Sequence, residues 1–132
     1  MQNERELPGI DSPDEQKTIL LIEDHPIFSK IMKHMITAYT PHRVVHLNDG
    51  EEIMRALDES KPHLLLLDYD LPGMNGLEIY DLVHGIEEWQ GIPAIMVSAN
   101  IPYQEIERRR IAGLSKPCKA DELVSAIARA LN

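Results

Sequence analysis

The chain has 132 residues, of which 43% are hydrophobic and 27% charged, and its net charge is −9. This size and mixture predict one soluble domain with a core of its own, and the acidic balance disfavours nucleic acid as a partner because nucleic-acid binders carry a basic stripe. The single Cys118 allows no internal disulfide, and no apolar stretch is typical of a membrane span or a signal peptide. We therefore expect a cytoplasmic domain with no membrane partner.

Apolar runs and amphipathic segments alternate along most of the chain. Residues 1–16 are acidic and contain two prolines, which predicts a flexible leader. After the leader, continuous apolar runs indicate buried strands and 3.6-residue spacing indicates helices. The predicted strands are 18–22, 43–47, 63–67, 93–97 and a short 113–116, and the predicted helices are 26–39, 49–60, 75–89, 102–110 and 119–131.

Five strand–helix repeats with continuously apolar strands predict an α/β fold whose parallel sheet is covered on both faces. Right-handed crossovers make this a doubly wound, flavodoxin-like sheet of five strands in the order 2-1-3-4-5. Helix 4 is short and polar, and strand 5 is a stub. In such sheets the ligand site lies at the carboxyl ends of the strands, so the residues there are the candidate site residues.

Polar residues follow four of the predicted strands. Glu23 and Asp24 follow strand 1, Asp68 follows strand 3, Ser98 follows strand 4 and Lys116 follows strand 5. Close carboxylates repel one another unless a cation lies among them, and hard oxygen ligands suit Mg²⁺. An aspartate is also able to accept a phosphoryl group, whose charge a metal, a lysine and a hydroxyl would stabilise. This set of residues predicts phosphoryl transfer to Asp68.

Four blocks, LLIEDHP, LLLLDYDLPGMNGLE, MVSA and SKPC, resemble the signature of response-regulator receiver domains. The resemblance covers residues 17–132 and implies a (βα)₅ domain that a histidine kinase or phosphotransfer protein phosphorylates with Mg²⁺. It implies that Asp68 is the phosphoacceptor and that Ser98 and Lys116 assist it. The implied metal ligands are Glu23, Asp24, Asp68 and the backbone carbonyl of Asp70.

The resemblance has further implications around this site. The Lys116–Pro117 bond is expected to be cis, and the Asp70 side chain is expected to lie near the phosphoryl group, with Asn100 facing it. Such a domain is no classical enzyme and at most catalyses its own phosphorylation and dephosphorylation. Because the chain ends with helix 5, we expect a stand-alone domain that signals through a downstream protein partner or a phosphorelay.

The segment before Lys116 departs from the family pattern. The position three residues before the lysine, usually Tyr or Phe, is Gly113, and Lys116 follows Ser98 by 18 positions, roughly one helical turn fewer than is usual. The aromatic readout of phosphorylation is therefore missing, and Tyr103 is one possible substitute. We interpret the nearby basic run, Arg108 to Arg110, as a solvated helix end, with partner docking as the alternative.

Two other functions remain open from the sequence. A pseudo-receiver would be an interaction module that phosphorylation does not regulate, and the missing aromatic residue favours it. The pair Asp68 and Asp70 also resembles the Asp-x-Asp motif of haloacid-dehalogenase-like phosphatases. The acidic pair upstream of that motif and the short chain disfavour this enzyme.

Overall fold

The computed structural model of the protein describes residues 15–56 and 61–132. Strands and α-helices alternate regularly in these ranges. The strands are β1 (Thr18–Ile22), β2 (Arg43–Leu47), β3 (Leu64–Leu67), β4 (Ala94–Ser98) and β5 (Ala112–Ser115). The α-helices are α1 (Pro26–Tyr39), α2 (Gly50–Ala56), α3 (Gly76–His84), α4 (Tyr103–Arg108) and α5 (Ala120–Leu131), and a 3₁₀ helix spans Glu87–Trp89.

The strands form one parallel sheet in the order β2-β1-β3-β4-β5, which confirms the predicted doubly wound topology. The two central strands are in register, so that Ile22 lies opposite Leu67 and both strands end at the same level. This register places the residues that follow β1 and β3 side by side. Within the described ranges, no helix combines the length and apolar character that crossing a membrane requires.

Alternate side chains of the strands feed two separate cores. Leu20, Leu65 and Met96 face the core beneath α2, α3 and α4, whereas Leu21 and Leu66 face the core beneath α1 and α5. All four residues of β3 are buried, as expected for a central parallel strand covered on both faces. The central strands are therefore rigid mounts for the residues at their carboxyl ends.

The helix predicted over 75–89 is confirmed over Gly76–His84 and is wrong from Gly85 onward. The helix α3 ends at His84, because Gly85 is a poor helix former and Ile86 adopts an extended backbone with φ −92° and ψ 125°. The prediction for helix 2 extends into residues 57–60, and the predicted leader is residues 1–16; of these, residues 57–60 and 1–14 lie outside the described residues. The short helix 4 is confirmed, since α4 has only six residues.

Candidate functional site

The carboxyl ends of β1, β3, β4 and β5 bring the predicted site residues together. Glu23, Asp68 and Ser98 are buried, with exposures of 1%, 5% and 0%. The amide of Asp68 continues the sheet by donating to the carbonyl of Ile22 at 3.2 Å, and the amide of Lys116 donates to the carbonyl of Ser98 at 3.0 Å. Sheet hydrogen bonds thus hold these polar residues in a buried cleft.

The ammonium of Lys116 bridges two of the buried acids. Its Nζ lies 2.8 Å from Asp68 Oδ2 and 2.8 Å from Glu23 Oε1. Burial alone would lower the pKa of Lys116, but the hydrogen bonds to Asp68 and Glu23 outweigh it and raise that pKa. Burial raises the pKa of Glu23, since the charged form loses water there, and Lys116 offsets only part of this effect.

Asp24 completes an acidic cluster at the mouth of the cleft. Ligand oxygens of Glu23, Asp24 and Asp68 all lie within 4.8 Å of one another, and Asp24 is exposed to solvent. Three convergent carboxylates, one of them facing water, match the preference of Mg²⁺ for a few oxygen ligands and retained water. The donor set therefore fits a hard divalent cation.

The backbone amide of Asp70 donates to Asp68 Oδ1 at 3.1 Å, and the Asp70 side chain engages the loop after β4. Its Oδ2 accepts a hydrogen bond from Ser98 Oγ at 3.3 Å and another from Asn100 Nδ2 at 3.2 Å. The Ser98 hydroxyl oxygen in turn accepts from the amide of Asn100 at 3.1 Å. The expectation that Asn100 faces Asp70 is confirmed, and the two residues hold the Ser98 hydroxyl between them.

The backbone around Asp68 is held closely by helix α3. A β-carbon at Gly76 would collide with the backbone carbonyl of Asp68, so only glycine permits this approach at the start of the helix. Asn75 and Glu78 form a reciprocal capping box that fixes the same helix end. Across the cleft, the Lys116–Pro117 bond is cis, as expected.

Two contacts at the site were not predicted from the sequence. The ring of Phe28 lies under the ammonium of Lys116, with 4.4 Å between Nζ and the ring centroid. His46 Nε2 lies 2.7 Å from the backbone carbonyl of Glu23 and so ties the loop after β1 to β2. In the sequence, Phe28 has the spacing of a helix residue and His46 that of a strand residue. Neither pattern indicates these contacts, because each contact joins segments that are distant in the sequence.

At Gly113, the position of the missing aromatic residue, side chains from α4 and the preceding loop fill the space above the strand. A β-carbon built on Gly113 would lie 2.7 Å from Ile106 Cδ1 and 3.4 Å from Ile101 Cδ1. Tyr103, the possible substitute, is 64% exposed at the start of α4. Two isoleucines from α4 and the preceding loop therefore pack over β5 at this point.

The family model of the response regulator receiver domain matches residues 19–128. The chain belongs to this family. The polar-differentiation response regulator DivK of Brucella ovis is 29% identical over 115 residues, which cover 84% of this chain and 93% of DivK. Receiver domains serve signalling and are not classical enzymes, and they interact with histidine kinases or phosphotransfer proteins.

Solved receiver structures agree with this assignment. The receiver domain of a sensor histidine kinase from Pseudomonas aeruginosa, solved with magnesium in its active-site cleft, is 25% identical with a TM-score of 0.77 over 88% of this chain and 98% of its own. The chemotaxis protein CheY4 of Vibrio cholerae is 21% identical with a TM-score of 0.80 over 88% of this chain and 99% of its own, which supports the fold alone. Magnesium binding is typical of the receiver family.

Proposed function

We propose that this receiver domain accepts a phosphoryl group on Asp68 from a histidine kinase or phosphotransfer protein. The observation that carries the proposal is the Lys116 ammonium, which lies 2.8 Å from Asp68 Oδ2 and 2.8 Å from Glu23 Oε1. Such an arrangement supplies a nucleophilic carboxylate and a cation for the transferred charge in one cleft. The proposal assigns Asp68, Ser98 and Lys116 to the transfer.

In the proposed step, an oxygen of Asp68 attacks the phosphorus of a phosphohistidine. A P–O bond forms while the P–N bond breaks, and its electron pair leaves with the donor imidazole. Lys116 then exchanges its contact with Asp68 for a contact with an oxygen of the transferred group. Ser98 is buried and next to the cleft, so its hydroxyl is available to bind a second phosphoryl oxygen once it leaves Asp70.

Glu23, Asp24 and Asp68, with the backbone carbonyl of Asp70, would hold Mg²⁺. When bound, the cation offsets the repulsion between these acids and the charge of the phosphoryl group. The geometry supports this assignment, since the single ammonium of Lys116 faces three carboxylates whose oxygens lie within 4.8 Å of one another. The same acids then serve both metal binding and transfer.

The output is proposed to run through the loop after β4 and the short α4. Ser98 is joined to Asn100 by a hydrogen bond, and Ile101 packs over Gly113 in the next turn of the chain. Movement of Ser98 toward a phosphoryl group would pull this loop directly. Signalling would then use backbone movement rather than a swinging aromatic ring, and reach a downstream protein partner or a phosphorelay.

Labelling with acetyl phosphate, read by intact mass, tests the proposed function. We expect one added phosphoryl group that requires Mg²⁺ and that hydroxylamine removes, as an acyl phosphate demands. Asp68→Asn should abolish the label, whereas Glu88→Gln, which removes an exposed carboxylate from the 3₁₀ helix that precedes the amino end of β4, should keep it. A wild-type chain that takes no label from acetyl phosphate or from a phosphotransfer protein would instead identify a pseudo-receiver.

A further inference from the structure

The aromatic ring of Phe28 covers a side of the Lys116 ammonium that no carboxylate occupies. An ammonium has three N–H donors. Two of them are directed to Glu23 and Asp68, and the ring centroid of Phe28 lies 4.4 Å from Nζ. The side chain of Lys116 is only 18% exposed. A cation over an aromatic face at this distance is attracted by the ring, more strongly where water is excluded.

The start of helix α1 holds Phe28 in place. His25 caps the helix by accepting the amide of Phe28 on Nδ1 at 3.1 Å, and Pro26 occupies the first helical position. The half-buried ring also packs against the core beneath α1 and α5. The ring is therefore a fixed surface rather than a mobile side chain that happens to lie near Lys116.

The ring contact differs from the two ion pairs during phosphoryl transfer. The proposed step requires Lys116 to leave Asp68 for a phosphoryl oxygen, so one of its two carboxylate contacts is lost. The contact with Phe28 needs no such exchange, because the ring lies outside the reacting group. A contact that persists through the exchange keeps a flexible lysine aimed at the cleft.

We propose that Phe28 is a positioning residue that holds the Lys116 ammonium through a cation–π contact while Lys116 changes partners. This role rests on the proposed phosphorylation of Asp68. It predicts that the phosphorylation rate depends on the electron density of ring 28 and not only on its bulk. It also predicts that Lys116 remains next to the ring in the protein before phosphorylation.

Fluorination changes the electron density of ring 28 while leaving its bulk nearly the same, and so separates these two properties. The chain contains a single phenylalanine, so global incorporation of 4-fluorophenylalanine alters ring 28 alone, and the 3,4,5-trifluoro form weakens the negative ring face further with little change in shape. We expect the initial rate of labelling by acetyl phosphate to fall stepwise over this series, by about threefold to tenfold in total. The labelling rate of Phe28→Leu should be as low as that of the trifluoro form, and the rate of Phe28→Tyr should stay within about twofold of the wild type.

Nuclear magnetic resonance gives a readout that is independent of phosphorylation. The ε-methylene protons of Lys116 should be shifted upfield by the ring current in the wild type and in Phe28→Tyr, and this shift should disappear in Phe28→Leu. Melting temperatures of all forms identify any variant that fails to fold. The fluorinated forms, which keep the ring, then carry the comparison if Phe28→Leu is unstable.

The results that would contradict the positioning role differ from the result that would contradict the proposed function. A flat rate across the fluorinated series, in a wild type that is labelled, overturns the positioning role and leaves the proposed function intact. An absent ring-current shift in the wild type shows that the contact does not form and likewise overturns the role. A wild type that takes no label at all refutes the proposed function, and the positioning role falls with it.

Discussion

Ile106 of α4 packs into the space over Gly113 of β5. A β-carbon at position 113 would lie 2.7 Å from Ile106 Cδ1, closer than unstrained carbon atoms approach. Ile106 is 4% exposed, so its side chain has little room to withdraw. The glycine and the short helix are therefore two parts of one arrangement, since the helix lies where a side chain on β5 would otherwise be.

This packing predicts a specific coupling between the two positions. Gly113→Ala should lower the free energy of unfolding by about 1–2 kcal/mol through overpacking. In an Ile106→Val background, which removes Cδ1, the same substitution should cost about 1 kcal/mol less. Urea denaturation of the four proteins of this cycle measures the coupling. Additive effects would mean that Ile106 and Gly113 do not meet in solution.

The strand order and the site residues at the carboxyl ends were predictable because they follow from a simple geometric rule. Parallel strands end at one edge of the sheet, so residues such as Asp68 and Lys116 converge although they are 48 positions apart in the chain. The apolar strands themselves were evident from continuous runs such as Leu64–Leu67. Only local pattern and topology were needed for both.

Contacts that depend on how helices lie on the sheet were not predictable in this way. The sequence predicts that Arg109 belongs to a solvated helix end, but in the structure its side chain is only 23% exposed and binds Asp81 at 2.8 Å. Phe28 has the spacing of any core residue on α1, and that spacing does not specify that its neighbour is Lys116. Helix rotation and tilt decide such pairs, and a single sequence carries little information on either.

The Arg109–Asp81 pair predicts a dependence of stability on pH. Arg109 Nε and Nη2 donate to Asp81 Oδ1 and Oδ2, each at 2.8 Å, and the hydrogen bonds hold the pKa of Asp81 below its ordinary 3.8. A lowered pKa in the folded state gives stability that is present above pH 3.8 and is lost as the pH falls through the folded value. Asp81→Asn should therefore cost about 0.5–1 kcal/mol at pH 7, a discounted value because Asp81 is half exposed.

Thermal melts at pH 7, 5 and 3 measure the difference in melting temperature between the wild type and Asp81→Asn. This difference should be constant between pH 7 and 5 and shrink at pH 3. Glu87→Gln is the matched control, because Glu87 makes no ion pair with the described residues, and its melting temperature should follow the wild type at every pH. A difference for Asp81→Asn that grows at pH 3 would contradict the assigned pair.

The acidic cluster predicts opposite effects of one substitution with and without metal. Asp24 lies within 4.8 Å of Glu23 and Asp68, and within the described part of the chain it has no ion pair of its own. In a chelating buffer, Asp24→Asn should therefore raise the free energy of unfolding by about 1 kcal/mol, which corresponds to a rise of a few degrees in the melting temperature. In the wild type, Mg²⁺ should raise it in a concentration-dependent way, and Asp24→Asn should need more metal for the same shift.

Asp68→Asn provides the comparison for this experiment. Asp68→Asn also removes one acid, but it breaks the 2.8 Å ion pair between Lys116 and Asp68. The rise in its melting temperature in the chelating buffer should therefore be smaller than the rise for Asp24→Asn. Equal rises would indicate that Lys116 does not compensate Asp68. No thermal shift with Mg²⁺ in the wild type would refute a metal site in this cleft.

The last prediction concerns the segment that would transmit phosphorylation. Ser98 donates to Asp70, accepts from the amide of Asn100, and precedes Ile101, which lies over Gly113. Binding of beryllofluoride with Mg²⁺ at Asp68, as a phosphoryl mimic, should draw the Ser98 hydroxyl away from Asp70. Residues 99–114 should then change their hydrogen-exchange rates, because a six-residue helix has few contacts that resist such a movement.

Ser98→Ala is the control that isolates this route. The variant has no hydroxyl to move, so beryllofluoride should still protect the loops around Asp24 and Asp68 while 99–114 stays unchanged. If the wild type also shows no change over 99–114, the loop after β4 does not respond to the acceptor. Asp68 would then hold a phosphoryl group without a local switch, and the domain would act as a phosphate relay or sink.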